Sequence, residues 1–127
     1  LGWDSDASSL SSNWTAMGYE GGCVRIEKSR TGYIINCTQG EYNVNEKGSF
    51  RGFRVQDCGI EGWFYVMNNK VFNTMEAPYY FASSSYTESN GCENVFFVNN
   101  YARHAGNCPL LPIGGKGIYV SDSVFEE

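Results

Sequence analysis

No run of about ten or more residues in this chain keeps a helical spacing of apolar side chains. Short segments rich in Val, Ile, Tyr, Phe and Trp alternate instead with Gly, Asn, Ser and Pro. The segments 23–28, 32–38, 41–44, 50–57, 62–67, 70–74, 79–84, 94–98 and 117–121 read as strands. Tyr33, Ile35 and Cys37 fall on one face of theirs, and Phe53 and Val55 oppose Arg54 and Gln56. In 62–67, Trp63, Tyr65 and Met67 oppose Phe64 and Val66, so both faces are apolar and the strand is placed in the middle of a sheet.

The turns between these segments suggest antiparallel neighbours. Asn68-Asn69 separates two strand-like runs by two residues, and Asn tolerates positive φ, which predicts a tight hairpin. Turns are also expected at 46–48 and 89–91. Residues 99–116 contain Gly106, Pro109 and Pro112 and read as a long loop with one helical turn at 101–104. No internal repeat stands out. The predicted fold is mostly β: a small antiparallel β-sandwich or barrel with disulfides and little helix. The 127 residues suit a single domain, with residues 1–18 as an N-terminal arm and 19–127 as the β core.

Five cysteines, Cys23, Cys37, Cys58, Cys92 and Cys108, are scattered with no C-x-x-C pair. In a small chain this predicts a disulfide framework and an oxidising compartment. Pairing near neighbours would join Cys23 to Cys37 and Cys92 to Cys108 and leave Cys58 free, with a disulfide-linked dimer open to the odd thiol. Only His104 with Cys108 resembles a zinc-ligand pair, which is too little for a structural site. The sequons Asn13-Trp14-Thr15 and Asn36-Cys37-Thr38 make Asn13 and Asn36 glycosylation candidates. Together these features predict a secreted, extracellular protein.

A net charge of −5 with only nine Lys and Arg disfavours nucleic acid and anionic membranes. The apolar runs are too short for a membrane-spanning helix. Asp4 and Asp6 lack the later Gly and Glu of a calcium loop, and 114–117 lack the spacing of a phosphate loop. His104, the one histidine, stands beside no nucleophile motif. Carboxylates that could pair in a hydrolase are Glu20, Glu27, Glu41, Asp57, Glu61 and Glu76, with Asp57, Glu61 and Trp63 the most suggestive group. No catalytic residue, metal or cofactor is assigned.

The aromatic content, 16%, exceeds what a core of this size requires. Rings near Asn, Ser and Gly suit recognition surfaces, and the candidate ligand-binding residues are Trp63, Tyr65, Tyr79, Tyr80, Tyr86 and Tyr101. Trp14, Phe81 and Tyr119 belong to the same surplus. In composition the chain resembles small secreted fungal effectors and elicitors, without sharing a motif with them. That likeness implies a secreted protein that binds a host protein. The alternatives are a carbohydrate-binding module or lectin for cell-wall glycans, and a small carboxylate-dependent hydrolase.

Overall fold

The computed structural model describes residues 22–39, 51–74, 77–83, 91–105 and 108–126. They form twelve strands: β1 Gly22–Glu27, β2 Thr31–Ile35, β3 Thr38–Gln39, β4 Arg51–Gln56, β5 Trp63–Met67, β6 Lys70–Thr74, β7 Tyr79–Ala82, β8 Cys92–Val98, β9 Tyr101–Ala105, β10 Leu110–Pro112, β11 Gly115–Ser121 and β12 Val124–Glu126. The first sheet has the order β1-β4-β7-β10, the second β2-β5-β8-β11, and the third β3-β6-β9-β12. Every pairing is parallel. The chain therefore winds through the three sheets in turn and starts again one strand further along. The described residues form a parallel β-helix of four coils, not the expected antiparallel sandwich or barrel.

The turn chemistry explains the correction. Asn36, Asn68, Asn99 and Asp122 all have left-handed backbone, with φ of 57°, 56°, 52° and 50°. A single left-handed residue bends the chain at a corner, and Asn and Asp adopt that conformation at low cost. Asn68-Asn69 thus carries the chain from the second sheet to the third instead of folding it back. The next residue turns its side chain inward. Asn69 and Asn100 are fully buried there.

Their amides tie the coils together. Asn69 Oδ1 accepts from the Cys37 backbone N–H at 2.9 Å, and Asn100 Oδ1 accepts from that of Asn69 at 3.1 Å. Ser123 Oγ does the same for Asn100 at 3.1 Å. Asn69 Nδ2 donates to Ile34 O, and Asn100 Nδ2 to Val66 O. Equivalent positions lie 32, 31 and 23 residues apart. The sequence is a repeat after all, with a last coil shortened enough to hide it. The predicted loop 99–116 also holds β9 and β10, and the left-handed residue His104 lies inside β9.

The core is a set of inward columns. Ile34, Val66 and Phe97 are register partners, as are Phe53 with Tyr79 and Val55 with Phe81. All are buried. Tyr79 stacks on Phe53 and meets Phe97 edge-on. Its hydroxyl donates toward Asn69 O and Tyr101 O, so the one polar atom this large ring brings inside is satisfied. Val120, the last member of the Ile34 column, is 50% exposed. The strands at that edge are blunted by Pro112, which has no N–H, and by left-handed Gly117 in β11.

The expected disulfides are absent among the described residues. Cys37, Cys58, Cys92 and Cys108 are free thiols, so neither Cys92–Cys108 nor a bridge from Cys23 to Cys37 forms. Cys58 and Cys92 sit inside the helix, where their Sγ atoms donate to Gln56 O and Val55 O, each at 3.3 Å. Ladder hydrogen bonds and stacked core columns hold the coils instead. With four free thiols Cys58 is not a lone unpaired cysteine, and no disulfide among the described residues points to an oxidising compartment. The arm 1–18, Asn13, Trp14, Tyr86, the turn 46–48 and the strand 41–44 lie outside the described residues. No helix among the described residues is long and apolar enough to cross a membrane.

Candidate functional site: an aromatic ladder on the second sheet

Alternation along a strand sends every second side chain outward. In the second sheet, in-register stacking turns that alternation into outward columns. Tyr33 pairs with Tyr65, Tyr65 with Phe96, and Phe96 with Tyr119. One step along the strands, Ile35, Met67, Val98 and Ser121 form a second column. One residue further come the corner turns, Asn36, Asn68, Asn99 and Asp122, all exposed.

The rings touch from coil to coil. Tyr65 and Phe96 have centroids 5.1 Å apart, tilted by 32°, and Phe96 and Tyr119 lie 5.2 Å apart at 15°. Trp63, on the same face as Tyr65, meets it at 4.9 Å. Near-parallel rings at 5.2 Å are offset, since direct stacking brings carbons to ~3.5–4.0 Å. The rings therefore overlap only in part. Tyr33 is 67% exposed, Tyr119 55% and Trp63 40%, while Tyr65 and Phe96 are half-buried between them. This contiguous aromatic surface makes the second sheet the candidate site.

The face is nearly uncharged. Lys116 lies beside the ladder, 3.8 Å from Glu93 on the neighbouring strand. Arg30 donates to the backbone carbonyl of Glu61, and Asn94 Nδ2 to Gly62 O, which pins the turn leading into Trp63. Asn99 Nδ2 donates to Asn68 Oδ1 at 2.9 Å, linking two of the corner amides across neighbouring coils.

Of the five described ring residues predicted to bind ligand, Trp63 and Tyr65 belong to this face. Tyr79 is a core residue. Tyr80 is buried on the outer side of the first sheet, with the Arg54 guanidinium carbon 5.5 Å from its ring centre. Tyr101 lies on the third sheet, where it packs on Phe72 and donates to Glu126 Oε2 at 2.6 Å; this bond holds its hydroxyl pKa above the ordinary value. Tyr86 lies outside the described residues. Sequence reasoning left Tyr33, Phe96 and Tyr119 out of the site, and their coil-length spacing from Tyr65 was the signal available.

Among the described residues, those weighed for catalysis form no shared site. Asp57 is buried at a left-handed corner after β4, whereas Glu61 is exposed. Glu27 pairs with Arg25, and Glu20, Glu41 and Glu76 lie outside the described residues. His104 is on the third sheet, its Nε2 buried without a hydrogen-bond partner among the described residues. No group of three or more His, Cys, Asp or Glu that could hold a metal occurs among the described residues. No known protein family, curated protein or solved structure matches the chain.

Proposed function

We propose that this protein acts by binding, and that the aromatic face of the second sheet takes a carbohydrate ligand. The observation that carries the reading is the ladder Tyr33–Tyr65–Phe96–Tyr119, flanked by Trp63 and running parallel to a row of exposed Asn side chains. Open ring faces pack on the apolar C–H faces of sugars, and carboxamides both donate to and accept from hydroxyls. A near-neutral surface suits a ligand that brings hydroxyls rather than charge.

Recognition of a host protein is the second reading. It is favoured by Ile35, Met67 and Val98, an aliphatic column between rings and amides that resembles the apolar centre of a protein interface. An extracellular setting now rests on the sequon at Asn13, because the ligand row uses the Asn36 carboxamide.

The test is retention of the purified protein on insoluble chitin, cellulose, β-glucan and xylan, alongside a soluble glycan array. Retention on at least one polymer supports the carbohydrate reading. Retention on none, with no signal on the array, overturns it in favour of a protein partner.

A further inference from the structure

The binding groups recur once per coil. The ring column offers one aromatic on each of four successive strands, and the corner turns beside it offer Asn, Asn, Asn and Asp on the same four coils. Strand pairing sets the interval at ~4.8 Å, and the ring separations of 5.1 and 5.2 Å follow it. A ligand that uses every rung must itself present a flat apolar face and hydroxyl groups at about that interval along one line. A chain of pyranose rings linked through opposite corners does so, because each sugar advances it by about one ring length. The branched tip of a glycan, or a protein surface that is not itself a stack of in-register strands, does not repeat one group at a fixed step. No charged side chain stands in the ring column, and Lys116 faces Glu93, so the ladder has no counter-charge for sulfate or uronate.

On the carbohydrate reading above, we infer that the ligand is an uncharged, unbranched polysaccharide lying along the helix axis, one sugar per coil over four coils. Rings at both ends of the row are then equivalent subsites. Trp63 sits beside the second rung and adds width there instead of length.

The experiment is calorimetric titration of the full chain with cello-, chito-, xylo- and laminari-oligosaccharides of increasing length. For one of these series, affinity should rise about tenfold or more between two and four units and less than about twofold beyond four. Tyr119→Ala, at an exposed end of the row, should move the plateau from four units to three while leaving the circular dichroism spectrum unchanged. Tyr33→Ala should do the same from the other end. Affinity independent of length, or array signals confined to branched termini, overturns the axial arrangement and leaves the carbohydrate reading standing. Absence of binding to every oligosaccharide and every polymer overturns both.

Discussion

The side-chain amide of Asn69 donates to Oδ1 of Asn100 at 3.0 Å, one coil away, while its own Oδ1 accepts from the backbone of Cys37 in the coil before. One buried side chain thereby links three coils. Asn69→Ala would leave the Cys37 N–H and the Ile34 carbonyl without their partner. An unsatisfied buried polar group costs about 1–3 kcal/mol, so a loss of about 2–4 kcal/mol is expected. Urea unfolding measures it; a change below about 1 kcal/mol would contradict the ladder.

Gly59 has φ of +78°, and a Cβ there would come within 1.9 Å of the Glu93 carbonyl oxygen. The overlap is with backbone, which cannot swing aside. Gly59→Ala should cost at least about 2 kcal/mol by thermal or urea unfolding, whereas unchanged stability would mean that coils two and three are spaced differently.

Burial pushes the Cys92 thiol from 9.0 up to about 12. A group whose folded pKa is raised adds stability that is fully present below the unfolded value and is lost as pH rises through the folded one. Stability should therefore fall between about pH 9 and pH 12. Cys92→Ser keeps a donor for Val55 O and removes this thiol's titration, so its stability profile should be flatter over that window. An identical alkaline fall in the variant would assign the loss to other groups.

Thiol labelling should discriminate by position. Cys37 is exposed, whereas Cys58 and Cys92 are wholly buried and both have raised pKa values through desolvation. Under native conditions iodoacetamide should modify Cys37 and leave Cys58 and Cys92 unmodified until denaturant is added. Peptide mass spectrometry reads this, and early modification of Cys92 would contradict the core placement.

Most strand positions were legible because β-branched and aromatic residues cluster where the sheets lie, and the two-sided apolar pattern of Trp63–Met67 matched its interior place in the second sheet. Strand direction was not legible. A hairpin and a β-helix corner both use left-handed Asn, so Asn68-Asn69 fits either, and only the recurrence at Asn99-Asn100 distinguishes them. The short last coil broke that recurrence, and the breakers Gly106, Pro109 and Pro112 made the whole of 99–116, β9 included, read as loop. The site was half visible. Trp63 and Tyr65 were identified from their own strand, but a ladder is a property of register, and Tyr33, Phe96 and Tyr119 join it only when strands 23 to 32 residues apart are stacked.

The most direct test of the aromatic face compares ring removals on two sheets in one binding assay. Trp63→Ala and Tyr65→Ala each remove a ring from the second sheet, and Tyr101→Ala removes one from the third. The account predicts that polymer retention falls about tenfold or more in the first two and stays within about twofold of the parent in the third, with all three folded by circular dichroism. Equal retention in all four proteins, or loss confined to Tyr101→Ala, would contradict it.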